Sequence, residues 1–154
     1  MSYPTALDLD TFARTLLGEV ALEPLAGKIA AAWAIRNRVE ADIHGDGKPD
    51  WWGEGYRAVC LAPWQFSCWN QSDPNRTRIM AASYDNDPAL MDCLGVATAV
   101  AFNFVPDPTG GATHYYNPRI VKAPSWAGLF QPRGKIGAHL YFHDPSASLP
   151  KQDA

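Results

Sequence analysis

The sequence predicts an α+β fold that is mainly helical and carries a small β-sheet near the C-terminus. Up to Val105 the apolar residues recur at helical spacing, and after Val105 turn-forming and β-prone stretches follow. Helices followed by strands, without regular alternation of the two, are typical of α+β domains. The chain has 154 residues, so residues 1–154 are expected to form a single domain with its core between about residues 8 and 144.

The first helix is predicted to begin near Asp8, whose carboxylate can cap free backbone amides, and to end before Pro24. Leu9, Phe12 and Leu16 have the spacing of one apolar helix face. This face is expected to pack against the core of the protein.

Glu19 stands on that apolar face. It follows Phe12 by seven residues, so the two side chains project within about 20° of each other. Burial disfavours an ionised carboxylate and raises its pKa, which suits a general acid near neutral pH. Gly18 beside it leaves room for an approaching group. The alternative is an ordinary carboxylate that is capped by neighbouring donors or paired with one of the arginines Arg14, Arg36 and Arg38.

A second helix is predicted from Leu25 to about Val39, opened by Pro24. Residues 29–35 are apolar nearly all round this helix, so it is expected to be central and closely packed. A loop rich in Gly, Asp and Pro is predicted over residues 42–55, and an irregular Trp- and Pro-containing segment over residues 60–70. Such loops often carry function.

A third long helix is predicted after Asp87 and Pro88, because aspartate caps helices and proline suits the first helical position. Its buried stripe is expected to consist of Leu90, Leu94, Ala97 and Ala101.

Two later stretches, residues 112–117 and 136–143, are β-prone and are expected to form the small sheet. Strict alternation divides the second stretch between two faces. One face would carry Ile136, Ala138, Leu140 and Phe142, and the other Gly137, His139, Tyr141 and His143.

Composition and charge exclude several classes of protein. A hydrophobic content of 47% with 19% charged residues excludes a mostly disordered chain. A net charge of −3 without a Lys or Arg cluster argues against nucleic-acid binding, and no apolar stretch is long enough for membrane insertion. No signal peptide is visible, which predicts synthesis in the cytoplasm. The three cysteines are expected to be small buried thiols, and neither a metal nor a cofactor is expected.

The residues suit cleavage of a glycosidic bond, which needs a protonated acid at the leaving oxygen and usually a second carboxylate. Glu19 supplies the acid. Glu23, one turn further on, is the nearest candidate for the second carboxylate and could equally hold the turn before Pro24. Sugar rings stack on aromatic side chains, and part of one set is expected to line a groove. That set is Trp51, Trp52, Trp64, Trp69, Tyr115, Tyr116 and Trp126.

Four segments, in order and spacing, resemble the SleB/CwlJ cell-wall hydrolase family, which includes spore-cortex-lytic enzymes. They are residues 16–24 followed by Gly27 and residues 37–39; Gln65-Phe66-Ser67; residues 107–117 around Gly-Ala-Thr; and Trp126 with residues 136–142. The resemblance covers about residues 9–142. The chain departs from it where family members usually read Ala-Arg-Gly, because Val20, Ala21 and Leu22 stand there.

The resemblance implies a lysozyme- or transglycosylase-like catalytic domain that cleaves peptidoglycan between N-acetylmuramic acid and N-acetylglucosamine. It implies Glu19 as the catalytic acid of a lytic transglycosylase, in which the sugar's own C6 hydroxyl replaces water and no second carboxylate is needed. Hydrogen bonds to the sugar are expected from some residues, groove walls from others, and orientation of Glu19 or a tyrosine from His139. The expected substrate-binding residues are Glu23, Gln65, Phe66, Thr113, Tyr116, Asn117, Trp126 and His139.

The expected partner is the glycan strand of peptidoglycan, bound by a monomer that acts on the cell wall, as a phage endolysin does after release. Two alternatives remain open. One is a zinc-dependent amidase or peptidase that uses His114, His139 and His143 with Asp144, although two imidazoles four residues apart on a strand lie roughly 13 Å apart. The other is a glycan-binding module without turnover.

Overall fold

A computed structural model describes residues 3–41, 52–63 and 65–147. In this part of the chain, five α-helices precede a three-stranded antiparallel sheet, so the predicted α+β class is confirmed. The helices are α1 (Ala6–Val20), α2 (Leu25–Glu40), α3 (Gly55–Leu61), α4 (Asn75–Ala81) and α5 (Pro88–Ala101). The strands are β1 (His114–Tyr116), β2 (Gln131–Ile136) and β3 (His139–His143).

Helix α1 begins earlier than predicted, because Thr5 is its N-cap. The Thr5 hydroxyl accepts a hydrogen bond from the Asp8 amide at 3.1 Å, and the Asp8 carboxylate accepts one from the Thr5 amide at 2.9 Å. Asp8 is therefore the third helical residue of a capping box, not the residue that starts the helix. The helix ends at Val20, before Pro24 as predicted.

The core lies between α1 and α2 and the helices that cover them. Phe12 and Leu16 of α1 are fully buried, as their spacing predicts, and α1 packs against α5, α3 and α4. Helix α2 is buried at every residue from Ala30 to Glu40, which confirms that it is central. The cysteines Cys60, Cys68 and Cys93 are free and buried.

Helix α5 has the predicted Asp87 cap, with Pro88 as its first residue. Of the predicted stripe, Leu90 and Ala97 are fully buried, whereas Leu94 and Ala101 are partly buried. The buried face is completed by Cys93, Val96 and Val100.

Two short helices, α3 and α4, were not predicted. Each has seven residues, which is too few for an apolar period to repeat. The described part of the predicted loop, residues 52–55, leads into α3, and residues 42–51 of that loop lie outside the described residues, as does Trp64.

The prediction of one strand over residues 136–143 is wrong. A turn at Gly137, with φ 58°, separates β2 from β3, and the two strands pair as antiparallel neighbours. The order of the sheet is β1-β3-β2. The alternating pattern could not reveal the turn, because glycine and alanine at positions 137 and 138 fit either interpretation.

The register of the sheet gives each strand an inner and an outer face. Tyr115 pairs with Tyr141, and these residues face the helices together with His139. His114 pairs with Phe142 on the opposite, outer face. The predicted separation of odd and even residues in 139–143 is confirmed within β3.

Gly18 is one of the residues through which α1 contacts the short 3-10 turn Ser67–Trp69. A methyl group at Gly18 would lie 2.6 Å from Cys68 Cβ and 2.8 Å from Cys68 Sγ. The room that Gly18 leaves is therefore filled by Cys68, and the last turn of α1 is held close to this segment.

We predict that Gly18→Ala lowers the free energy of unfolding by about 1–3 kcal/mol, because the added methyl group overpacks this contact. Adding Cys68→Gly removes both clashing atoms and is expected to recover part of the loss. Chemical denaturation measures both effects. Gly95→Ala is the matched control in α5, since its new methyl group would meet nothing within 4 Å. Equal stability of the Gly18→Ala variant and the unmodified protein would contradict the contact.

Candidate active site

Glu19 lies in the last turn of α1 and keeps part of its surface exposed. Burial raises the pKa of its carboxyl group to about 7, against a lowering effect of Arg38 and with a further raising effect of Asp73. No hydrogen bond or ion pair joins this carboxylate to another described residue. The residue is thus partly exposed while its carboxyl group is largely removed from water.

The alternative in which an arginine pairs with Glu19 does not occur among the described residues. Arg14 pairs with Asp10 at 3.0 Å, and Arg36 pairs with Glu40 at 3.1 Å. Arg38 influences the Glu19 carboxyl group only through space. Among the described residues, the Glu19 carboxyl group therefore has no arginine in direct contact.

Arg38 holds several predicted site residues around one buried positive charge near the end of α2. Its Nε donates to the Thr113 carbonyl oxygen, and its Nη1 donates to Gln65 Oε1 at 3.1 Å. The guanidinium group also lies over the rings of Phe66, at 4.9 Å, and Trp52, at 5.4 Å. A single side chain thus joins α2 to the 65–66 segment and to the chain entering β1.

An aromatic wall covers the outer face of the sheet. We use this name for His114, Tyr116, Trp126, Phe130 and Phe142. Trp126 is its centre, with ring centroids 5.0 Å from His114, 5.8 Å from Tyr116 and 5.3 Å from Phe142. Phe130 stacks on Trp126 at 5.6 Å. Because Tyr116 and Trp126 keep part of their surface exposed, the wall offers aromatic faces to a ligand.

His114 connects the aromatic wall with two residues near Arg38, Trp52 and Thr113. Its ring lies 5.7 Å from that of Trp52, and its Nδ1 is hydrogen bonded to the Thr113 hydroxyl at 2.9 Å. Burial and the nearby Arg38 lower the pKa of His114 to about 3. At neutral pH His114 is therefore an uncharged ring within the aromatic wall.

Glu23 forms a latch between the turn after α1 and the turn between β2 and β3. Its Oε1 accepts hydrogen bonds from the Ala138 amide at 2.8 Å and from His139 Nδ1 at 2.7 Å. A Cβ at Gly137 would lie 2.7 Å from the same oxygen, so only glycine allows this approach. His139 contacts Glu23, and it packs edge-on against Tyr115 at 5.2 Å. Binding of substrate by Glu23 and His139 stays a prediction.

The other predicted substrate-binding residues differ in their access to solvent. Thr113 is buried and its hydroxyl accepts a hydrogen bond from the Asp144 amide at 3.0 Å, while Phe66 is buried under Arg38. Gln65 and Asn117 are partly exposed, and the Asn117 amide oxygen accepts a bond from the Arg119 amide at 3.0 Å. Thr113 and Phe66 are buried and contact Arg38, Thr113 through its carbonyl oxygen and Phe66 through its ring. Contact of these four residues with substrate stays a prediction.

Tyr115 is a site residue that the sequence pattern indicates only as one aromatic among seven. Its hydroxyl is buried without a hydrogen-bond partner among the described residues. Burial, and then the charge of Glu19, raise its pKa well above the usual range. The Tyr141 hydroxyl is also buried without such a partner, and its charged neighbour is Glu23. Alternation along β1 separates Tyr115 from Tyr116, but the sequence does not reveal which face meets Glu19.

Among the described residues, no group of three or more His, Cys, Asp or Glu side chains is arranged to hold a metal ion. The three histidines of the zinc alternative have different partners. His114 is hydrogen bonded to Thr113, His139 is bonded to Glu23, and His143 donates to the Gly111 carbonyl oxygen at 2.8 Å. In the same part of the chain, no helix combines the length and apolar character that crossing a bilayer requires.

Two solved structures share this fold. The catalytic domain of the germination-specific lytic transglycosylase SleB from Bacillus anthracis has 23% sequence identity and a TM-score of 0.65, with 90% of this chain and 95% of that chain covered. The catalytic domain of the Bacillus cereus SleB protein has 20% identity and a TM-score of 0.66, with 92% and 94% covered. No curated protein sequence matches the chain.

The sequence model of one family, described as Cell Wall Hydrolase, matches residues 22–142. The matched segment contains the aromatic wall, Arg38 and the Glu23 latch, and it begins just after Glu19. It spans well over half of the chain, and the protein therefore belongs to the cell wall hydrolase family.

Proposed function

We propose that the protein cleaves the glycosidic bond between N-acetylmuramic acid and N-acetylglucosamine in peptidoglycan as a lytic transglycosylase, and that residues 1–154 act as one catalytic domain. The observation that carries the proposal is the Glu19 carboxyl group, which has a pKa of about 7 and no partner among the described residues. The Bacillus anthracis protein with the same fold is a lytic transglycosylase, which supports the same reaction.

In the first step, protonated Glu19 gives its proton to the bridging oxygen, and the bond from that oxygen to C1 of the muramic acid breaks. In the second step, the Glu19 carboxylate takes the proton of the C6 hydroxyl, and the C6 oxygen bonds to C1 to close a 1,6-anhydro ring. Glu19 ends protonated, as it began. A pKa near neutrality suits a group that acts as acid and then as base.

The surroundings of Glu19 favour a route with one carboxylate. Glu23 is held by the Ala138 amide and His139, and Asp73 accepts a hydrogen bond from the Asn75 amide at 2.8 Å. In hydrolysis a second carboxylate activates water or attacks C1. In the proposed route the sugar supplies the nucleophile, so neither carboxylate has to leave its partner.

The aromatic wall suits a sugar ligand. Sugar rings present C–H faces that pack on aromatic rings, and Tyr116 and Trp126 offer partly exposed rings. We propose that the wall positions the glycan while Arg38 and its partners keep the wall in place. Among the described residues the zinc-dependent alternative lacks a ligand cluster. The monomeric state and release by a phage stay predictions.

We predict that Glu19→Gln lowers the rate of peptidoglycan cleavage by about a hundredfold or more, because the amide cannot donate the acid proton. Glu23→Gln is the matched control, since its amide oxygen can still accept from the Ala138 amide, and it is expected to keep measurable cleavage. Mass spectrometry of the muropeptides is the measurement. Anhydro products, one water lighter than hydrolysis products, are expected.

Other products would overturn parts of the proposal. Reducing-end muramic acid would indicate hydrolysis, and free stem peptides would indicate an amidase. Loss of cleavage in the Glu23 variant alone would identify Glu23 as the acid. A glycan-binding module without turnover predicts no cleavage product from the unmodified protein.

We predict that kcat/KM for cleavage is constant at acidic pH and falls about tenfold per pH unit above the Glu19 pKa of about 7, because the free enzyme must hold the acid proton. Asp73→Asn removes a negative charge that raises this pKa, so the fall is expected to begin at lower pH. A pH–rate profile of both proteins tests this. A profile that does not change in the Asp73 variant would contradict the electrostatic assignment.

We predict that Tyr115→Phe lowers kcat about tenfold or more, because the buried, unpaired hydroxyl lies near enough to Glu19 for its charge to act on it, and a donor near a charged carboxylate stabilises the charge. The same change is expected to leave the free energy of unfolding unchanged or raised, since it removes an unpaired buried hydroxyl. Tyr141→Phe removes the same kind of hydroxyl beside Glu23. Its cleavage rate is expected to stay within about twofold. Equal losses of activity in the two variants would refute a specific role for Tyr115.

A further inference from the structure

Positive charge is concentrated in the C-terminal part of the protein. Residues 108–143 contain four basic residues and no acidic residue, so all 16 acidic residues lie elsewhere in a chain of net charge −3. The proposed sugar-binding wall lies in the same segment. The segment that contains the wall therefore has a net charge of +4, whereas the rest of the chain, with 9 basic and 16 acidic residues, has a net charge of −7.

All four basic residues, Arg119, Lys122, Arg133 and Lys135, are exposed. Arg133 is partly engaged, since its Nε donates to the Gly110 carbonyl oxygen and its Nη2 donates to Gln131 Oε1, each at 2.9 Å. No hydrogen bond or ion pair joins the side chain of Lys135 to another described residue. The edge strand β2 therefore carries two basic residues. Arg133 is partly engaged, and the Lys135 ammonium group has no partner among the described residues.

The register places Lys135 on the same face as the aromatic wall. Tyr116 pairs with Leu140, and Leu140 pairs with Lys135, so the three residues form one row across the sheet. Directly paired residues point to the same side, and neighbouring strands lie about 4.8 Å apart. The backbone of Lys135 is therefore about 10 Å from that of Tyr116, and its flexible side chain extends beside the wall.

We propose that Lys135 binds a carboxylate of the peptide stem that peptidoglycan carries on its muramic acid residues. This inference rests on the proposed function. The stem is attached to the sugar that the wall would hold, and it carries several carboxylates. A stem attached to a sugar stacked on Tyr116 can reach the outer face of the sheet, where Lys135 is the cation in the same row as Tyr116.

The inference is tested with Lys135→Glu on two substrates, intact peptidoglycan and glycan strands from which an amidase has removed the stems. On intact material we expect kcat/KM to fall about tenfold, mainly through KM, because a rim charge acts on binding. On stripped strands the variant is expected to match the unmodified protein. Lys135→Arg should retain the preference for intact material. Lys28→Glu in α2 is the matched control, since it changes the net charge equally outside the basic segment.

An equal loss on both substrates would overturn the inference. So would a loss that disappears when phosphate-containing wall polymers are removed while the stems remain, because the bound anion would then be a phosphate. Binding of Glu19→Gln protein to insoluble peptidoglycan, with and without Lys135→Glu, is measured by co-sedimentation and does not require cleavage. If the unmodified protein yields no anhydro products, the proposed function fails, and co-sedimentation still decides on Lys135.

Discussion

The buried charge of Arg38 is the constraint on which the arrangement of the site depends. A guanidinium group taken out of water must find acceptors or aromatic faces, or the fold loses several kcal/mol. Arg38 finds them in the Thr113 carbonyl oxygen, Gln65 and two aromatic rings. These partners come from three separate parts of the chain. Satisfying one cation therefore brings together the end of α2, the 65–66 segment and the start of the sheet.

Arg38 also sets the balance that leaves Glu19 with a pKa of about 7. Desolvation alone would raise the pKa further, and a direct ion pair would lower it and keep the group ionised. The balance has a cost in stability. Between the usual pKa of 4.5 and about 7, the folded state binds more protons than the unfolded state, so stability falls as the pH rises through this window. The loss is at most about 3 kcal/mol.

Local patterns in the sequence predicted the features that neighbouring residues determine. The spacing of Phe12, Leu16 and Glu19 placed the carboxyl group on the packed side of α1, and Asp87-Pro88 located α5. The Glu23–His139 latch joins residues that are 116 positions apart, and no local pattern predicts such a contact. For the same reason the sequence did not reveal that Asp73 raises the pKa of Glu19 or that Glu19 raises the pKa of Tyr115.

Two of the contacts between the helical part of the chain and the small sheet act on the register of the sheet. The Glu23 latch holds the turn that leads into β3, and Arg38 holds the Thr113 carbonyl oxygen just before β1. A shift of β1 by one residue would exchange its two faces. Tyr116 would then point towards Glu19, and Tyr115 would point into the aromatic wall. The observed register therefore decides which tyrosine faces Glu19 and which belongs to the aromatic wall, and contacts outside the wall hold that register.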